Sequence, residues 1–238
     1  MILFGRRFKP AWWSTLLTSA GVILFLVLGN WQLERAAYKQ SLKDKFEARL
    51  TQDYQLYRPG DETQDMQYRR LIMKGKFDKS RNFLLDNQLH QGRAGYHVLT
   101  PLELADSDHV ILVNRGWAAW GASRDPLPEI QAPELSNRVA GIISIPSKPP
   151  LLLGEFGGAA GWPRLIPYID FDILRAQYSD QLLPMVLWLA PEQPGRYVRN
   201  WNPVWLPPEK SRAYATQWFA FAAVALVLFI VLNLRKVE

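Results

Sequence analysis

The chain has 238 residues, of which 48% are hydrophobic, and it carries a formal net charge of +6 at pH 7. It contains no cysteine, which excludes disulfides, thiol redox chemistry and thiolate metal sites, and which argues against a copper chaperone because copper chaperones favour soft sulfur ligands. Most of the excess positive charge lies in the two terminal tails, so no nucleic-acid-binding surface is predicted.

The first predicted element is a transmembrane helix over residues 12–31. Residues 11–31 contain no charged side chain, and a helix of about 21 residues, rising about 1.5 Å per residue, crosses a hydrocarbon core of about 30 Å. The uncharged run is longer than the apolar core of a secretory signal, and it ends at Trp31 and Gln32 without a small-residue cleavage pattern. We therefore expect this helix to be retained.

An external domain is predicted over residues 32–211. The first helix should continue beyond the membrane, because Leu42, Phe46 and Leu50 repeat at four-residue spacing among charged residues, and it should break near residues 57–62. Period-two alternation then predicts a half-buried strand at 71–77. Segments bounded by Gly, Pro, Asp or Asn predict further strands at 82–87, 96–100, 109–115, 138–145 and 184–190. This spacing favours a mainly antiparallel sheet or a small barrel.

Two further segments complete the external domain. Residues 170–179 predict a short helix with Asp170 or Asp172 as its N-cap. Residues 146–167 are rich in proline and glycine and predict a long loop, which should carry Leu151 to Leu153 and Trp162 at its surface or against the membrane.

A second transmembrane helix is predicted over residues 213–234, where about 22 residues lack charge. Arg6, Arg7 and Lys9 precede the first helix, and Arg235 and Lys236 follow the second. The positive-inside rule therefore predicts cytoplasmic tails at 1–11 and 235–238 and a periplasmic domain between the helices, in a bacterial inner membrane. The expected fold is an α+β membrane protein, in which two transmembrane helices flank the β domain.

No enzymatic site is predicted. The three histidines, His90, His97 and His109, lie in or beside separate strands without the spacing of a metal-binding motif. A nucleophile elbow and a phosphate-binding loop are also missing from the sequence. We therefore expect neither a metal centre nor catalysis by this domain.

Polar and aromatic residues are concentrated where the two helices should leave the membrane. Helical spacing places Gln32, Arg35 and Lys39 on one face of the first helix. It also aligns four residues of the second helix in one stripe: Tyr214, Gln217, Trp218 and Phe221. The aromatic rings suit a membrane interface in any case, but the Gln217 amide needs a partner. We expect the helices to pair closely at Gly29, with Gln32 or Arg35 meeting Gln217.

The stretch VNRGW, Val113 to Trp117, places Arg115 at a strand end beside a glycine turn. Two interpretations remain open for this guanidinium. It forms a buried structural salt bridge, or it faces a carboxylate or propionate of a ligand.

Several stretches together resemble the surfeit locus protein 1 family of cytochrome oxidase assembly factors, and the resemblance indicates a bacterial member. They are LGNWQLERAAYK, FLLDNQ, GRAGYHVLTPL, ILVNRGW and EKSRAYATQWFAFA, which follow in the family's order over nearly the whole chain. The resemblance implies a factor that acts when haem a reaches the catalytic subunit of a haem-copper oxidase. The family's suggested haem ligand, a histidine at the start of the second helix, is replaced here by Ser211.

The resemblance and the residues lead to one main hypothesis and two alternatives. As an assembly factor that inserts haem a or stabilises the catalytic subunit, the protein would contact its partner through Trp31, Gln32, Arg35, Arg115, Trp117, Tyr214, Gln217 and Trp218. As a transient haem a carrier, it would receive haem from the haem a synthase, pair the propionates with Arg35, Arg115 or Arg212, and offer Tyr214 as a weak axial ligand. As a stably retained subunit, it would remain in the mature respiratory complex.

Overall fold

A computed structural model describes residues 2–3, 6–60, 65–105, 107–121, 127, 130–131, 137–147, 161–202 and 207–236. The chain divides into two compact units. One unit comprises Met1–Lys45 and Asn202–Glu238, and the other comprises Phe46–Trp201.

The first unit contains two long helices, α1 (Trp12–Leu50) and α3 (Pro208–Leu232). Both helices are long and apolar enough to cross a membrane. Beside their ends lies a small antiparallel sheet of β1 (Ile2–Leu3), β2 (Arg6–Phe8) and β11 (Leu234–Lys236), in the order β1-β2-β11. The backbone register pairs Phe8 with Leu234 and Arg7 with Arg235.

The predicted continuation of the first helix is confirmed, since α1 extends to Leu50. It ends earlier than the expected break near residues 57–62. The last turn of α1 belongs to the second unit, where the buried ring of Phe46 packs edge-on against Tyr68 with 5.2 Å between ring centroids.

The second unit is built on one eight-stranded sheet in the order β3-β4-β8-β10-β7-β6-β5-β9. An additional β4–β6 pairing closes five of these strands, β4, β8, β10, β7 and β6, into a barrel. Neighbouring barrel strands are antiparallel except β10 and β7, which are parallel. The elements are β3 (Gln55–Leu56), β4 (Arg70–Phe77), β5 (Phe83–His90), β6 (Arg93–Leu104), β7 (Val110–Ala119), β8 (Arg138–Ser144), β9 (Arg164–Ile166), α2 (Phe171–Gln177) and β10 (Leu182–Leu189).

The barrel interior is filled by alternate residues of its strands. In β4, for example, Leu71, Met73, Gly75 and Phe77 are buried and their neighbours are more exposed, as the period-two pattern predicts. A separate cluster lies around Phe83, Leu99, Leu112 and Leu174, and α2 and β9 contribute to it. β7 contributes Val110 and Leu112 to this cluster and Ile111 and Val113 to the barrel interior, so it is buried on both sides and has no exposed position.

All six predicted strands are confirmed, with ends that differ by a few residues. The predicted short helix is α2, and Asp170 is its N-cap, because its carboxylate accepts a hydrogen bond from the Asp172 amide at 3.0 Å. The predicted surface position of Trp162 is correct only in part, because Trp162 is half-buried. Its ring packs at 5.0 Å from Phe83, and the short strand β9 follows it within the predicted loop. Leu151 to Leu153 lie outside the described residues.

Candidate functional site

The two helices of the first unit pack along a seam of small residues. Ala36 of α1 and Ala215 and Ala222 of α3 are buried. Gly29 faces the ring of Phe219 so closely that an added Cβ would overlap it. The predicted helix pairing and the role of Gly29 in close approach are thus confirmed.

Polar contacts join the same helices at one end of the seam. The Lys39 ammonium donates a hydrogen bond of 3.0 Å to the Ser211 hydroxyl, which is buried. The Arg212 guanidinium donates to the side-chain oxygen of Gln40 at 3.3 Å. Ser211 is therefore part of the helix–helix contact.

The predicted contact of Gln217 with Gln32 or Arg35 is wrong. Gln217 is exposed, and its side-chain amide forms no hydrogen bond with any residue that the structure describes. The reason is helical geometry: two residues beyond the buried Ala215, the helix has turned by about 200°, so Gln217 lies on the opposite face from the seam. The sequence pattern could not reveal which face of α3 the seam would use.

Tyr214, Gln217 and Phe221 form one continuous outward stripe on α3, here called the α3 stripe. Tyr214 and Phe221 are about half exposed, at 54% and 50%. Trp218, which was expected in the same stripe, turns toward α1 and stacks on Phe25 with 5.8 Å between ring centroids. Phe221 also contacts Phe25, with 5.9 Å between ring centroids, and lies edge-on to Trp218 at 5.8 Å. The half-exposed Phe221 ring therefore forms the border between the α3 stripe and the contact with α1.

The residues of α1 that were predicted to contact a partner lie at the same level along the helix pair as the α3 stripe. Trp31 and Arg35 are exposed, and the Arg35 guanidinium lies over the Trp31 ring, 5.4 Å from its centroid. Gln32 is half-buried and makes no hydrogen bond within the described part of the chain. An exposed cation–aromatic pair of this kind contributes little stability, so it is available to a partner.

In the second unit, Arg115 and Trp117 lie in β7 at an irregularity of the strand. Val98 pairs with Gly116 and Leu99 with Asn114, which leaves Arg115 as the extra residue of a β-bulge. Gly116 has a φ of 125°, and a Cβ there would lie 2.7 Å from the Val198 carbonyl oxygen. The bulge lets the segment around Val198 pair with Trp117.

Arg115 is buried, with 5% of its surface exposed. Its Nη1 donates hydrogen bonds to the Gln131 carbonyl at 2.8 Å and to the Thr100 hydroxyl at 3.4 Å, and its guanidinium lies 5.1 Å from the centroid of the Tyr197 ring. No carboxylate among the described residues forms an ion pair with it. The described residues thus provide no buried salt bridge for Arg115, and the ligand-facing role remains a prediction.

Trp117 is held firmly beside this arginine. Its indole Nε1 donates to the Gln88 carbonyl at 2.9 Å, and the His90 ring lies 5.1 Å away. Opposite it, Gly95 leaves room for the indole, since a Cβ there would lie 2.5 Å from Trp117 Cε2.

Arg115 and Trp117 line a cavity of about 400 Å³. The aromatic residues around it are Tyr96, Trp117 and Tyr197, and Arg196 adds a second cation. Sequence reasoning missed the segment from Gly195 to Arg199. Its signal was weak, because only one bridge, Val198 to Trp117, ties it to the sheet.

The histidines do not gather into a metal site. Among the described residues, no three His, Cys, Asp or Glu side chains are placed to hold a metal ion. His97 is largely buried, with Nδ1 3.1 Å from the Asn114 amide nitrogen, and its ring packs edge-on to Trp201. His97 thus has a packing role.

Comparison with known proteins places these features in a family context. The SURF1 family matches residues 20–223. A SURF1-like protein of Monosiga brevicollis is 25% identical over 252 residues, covering 96% of this chain and 90% of that protein. The cytochrome oxidase assembly protein SHY1 of Saccharomyces cerevisiae is 29% identical over 99 residues, covering 40% of this chain and 25% of SHY1. Surfeit locus protein 1 of Mus musculus is 29% identical over 106 residues, covering 38% of this chain and 34% of that protein.

Proposed function

Because the chain belongs to the SURF1 family, we propose that it is a membrane-located assembly factor for cytochrome oxidase. Its two apolar helices support the membrane location. The similarity to the yeast cytochrome oxidase assembly protein SHY1 supports an oxidase as the complex that is assembled. In this role the chain binds an immature partner and catalyses no reaction.

The α3 stripe is the observation that carries this proposal. An exposed glutamine on a membrane-crossing helix is costly in hydrocarbon, because its amide groups have no water to bond. Tyr214 and Phe221 flank Gln217 on the same outward face and provide ring surfaces for packing. Another transmembrane helix with a polar side chain at this depth would satisfy the amide and cover both rings.

We propose that this other helix belongs to the catalytic subunit of a haem-copper oxidase. Trp31 and Arg35 lie at the same level on α1 and add a cation and a ring to the exposed surface of the helix pair. In this proposal the protein is a bacterial inner-membrane protein with its β domain in the periplasm, and it stabilises the state of the subunit that receives haem a.

The residues at the start of α3 do not fit a haem-coordinating site. Ser211 is buried and bonded to Lys39, and a hydroxyl of this kind is a poor ligand for haem iron. Tyr214 is exposed on the outward face of the helix. Ser211 and Tyr214 are thus poorly suited to hold haem iron. This favours a factor that acts on the oxidase subunit, rather than a carrier that binds haem through α3.

Deletion of the gene tests the proposed function. The deletion strain should contain less haem a per catalytic subunit and less oxidase activity, and the wild-type gene should restore both. Normal haem a content and normal activity in the deletion strain would contradict the proposal. If the protein co-purified in equal ratio with mature, active oxidase, it would instead be a retained subunit.

Complementation of that strain tests the α3 stripe. Gln217→Leu should weaken the complex roughly fivefold through loss of one interhelical hydrogen bond of about 1 kcal/mol, and should lower oxidase activity accordingly. Thr216→Val is the matched control, because the Thr216 hydroxyl already bonds within the helix to the Arg212 carbonyl at 3.1 Å. Equal effects of the two changes would contradict a specific role for Gln217.

A further inference from the structure

The guanidinium of Arg115 carries a buried charge that the described part of the protein does not neutralise. Burial lowers the pKa of Arg115, and the nearby charge of Arg199 acts in the same direction. An arginine nevertheless stays protonated in proteins, so the described residues of the site hold a cation without an anion. Such an arrangement is unfavourable unless an external negative group completes it.

One edge of this guanidinium is unused. Both hydrogen bonds of Arg115 come from Nη1, whereas Nε and Nη2 donate to no residue that the structure describes. Nε and Nη2 together form the side of the guanidinium whose two parallel N–H groups match the two oxygens of a carboxylate.

The cavity beside Arg115 suits an anion with an apolar body. Its described lining includes three aromatic rings and the exposed cation Arg196, and it includes no acidic side chain. Burial raises the pKa of Tyr96, so this phenol stays protonated and can donate to an anion. A volume of about 400 Å³ lies within the usual range of small ligand sites, which is roughly 300–1,000 Å³.

The wall of the cavity is fixed before any ligand arrives. Arg199 donates to the Arg115 carbonyl at 3.0 Å, to the Ala190 carbonyl at 3.1 Å and to the Pro194 carbonyl at 3.0 Å. These bonds hold the segment that carries Arg196 and Tyr197 against β7. A preformed wall reduces the ordering cost of binding.

We propose that this cavity binds a carboxylate attached to a flat apolar group, with the carboxylate on Arg115 and the apolar group between Trp117 and Tyr197. Two sources share this chemistry: an acidic residue next to an aromatic residue in a partner polypeptide, and a free aromatic acid. The site belongs to the β domain and does not depend on the oxidase assignment.

Calorimetric titration of the detergent-solubilised full chain tests the carboxylate. Phenylacetate should bind and phenylacetamide should not, after the heat of titrating each compound into protein-free micelles has been subtracted. The polypeptide source is tested in the same way, by comparing the binding of N-acetyl-Phe-Glu-amide with the binding of N-acetyl-Phe-Gln-amide. Binding of the acidic dipeptide supports the polypeptide source, and binding of phenylacetate alone supports the free acid. Absence of binding by both acids, or equal binding of acids and amides, overturns the proposal.

Variants locate the site. Arg115→Gln should weaken binding roughly tenfold or more, because a hydrogen bond to a charged group is lost. Ala119→Leu should also abolish binding, because the larger side chain fills the cavity. This variant leaves every charge in place. It therefore tests the proposal even if Arg115→Gln fails to fold. Arg164→Gln is the control, because Arg164 also lies over a tryptophan, Trp162, but outside the cavity. Unchanged binding in folded Ala119→Leu would overturn the proposal.

Discussion

His97 is the residue in which burial has the clearest chemical consequence. Burial lowers the pKa of His97 to about 4, and the charge of nearby His90 acts in the same direction. The imidazole is therefore neutral in the folded protein at neutral pH. Its Nδ1 lies at hydrogen-bond distance from Asn114, the residue that precedes the Arg115 bulge.

This depressed pKa predicts how stability depends on pH. Below the unfolded pKa of 6.5, the unfolded chain binds a proton that the folded chain resists, so stability falls as pH falls from 6.5 to about 4. The loss should reach about 2 kcal/mol at pH 5. Thermal unfolding of the β domain, followed between pH 7 and pH 4.5, measures it. His97→Gln should remove most of this dependence while keeping an acceptor for Asn114, and an unchanged pH profile in that variant would refute the assignment.

A second acid-sensitive group, Asp78, titrates below the pH range of this measurement and should leave the measured profile unchanged. Burial alone would raise the pKa of Asp78, but hydrogen bonds from Ser80, Arg81 and Tyr178 outweigh it and lower that pKa to about 2. The stability contributed by Asp78 is complete above its ordinary pKa of 3.8 and is lost as pH falls toward 2. The two losses therefore occupy different pH ranges.

At the scale of elements, the seam between α1 and α3 depends on one glycine. Gly29→Leu would force a side chain into the Phe219 ring, and overpacking of this kind should destabilise the helix pair by about 1–3 kcal/mol. Gly21→Leu in the same helix is the matched control, since a Cβ at Gly21 meets nothing within 4 Å. Thermal unfolding of the solubilised chain compares them. Equal melting temperatures for both variants would show that the seam is not closed at Gly29.

The sequence patterns predicted most of the helices and strands. They did not predict which faces and edges of these elements contact one another. β4 was predictable because its apolar residues alternate along the strand. β7, β8 and β10 do not alternate, and they were predictable as apolar segments between turn-forming residues. β3 and β9 have two and three residues, which is too short for any periodicity to be visible. The barrel closure, through β4 and β6, depends on pairing between distant segments and was predicted only as one of two possibilities.

The sequence indicated several residues of the candidate site, but only part of their spatial arrangement. The proximity of Arg115 and Trp117 follows from their spacing in one strand, but Tyr197 and Arg196 reach the same cavity from a segment about 80 residues away. The outward direction of Gln217 depends on where Ala215 meets α1, which a single helix pattern does not contain. Tertiary packing determines both the residues that line the cavity and the direction in which Gln217 points.

For the whole molecule, the family match over residues 20–223 spans both helices and the β domain. The two units supply different recognition chemistry. The helix pair presents a polar and aromatic stripe suited to a membrane helix, and the β domain contains a cationic, aromatic cavity suited to a carboxylate. Together they describe a protein that binds partners, which is the behaviour expected of an assembly factor.

Site-specific photocrosslinking in the native membrane tests the central claim most directly. A photoreactive amino acid in place of Gln217 should form a covalent adduct with the catalytic oxidase subunit. The same group in place of Ala222, which is buried in the seam, should react only within the chain. Adducts with the oxidase subunit from position 222 but not from position 217, or no oxidase adduct from either position, would contradict the account.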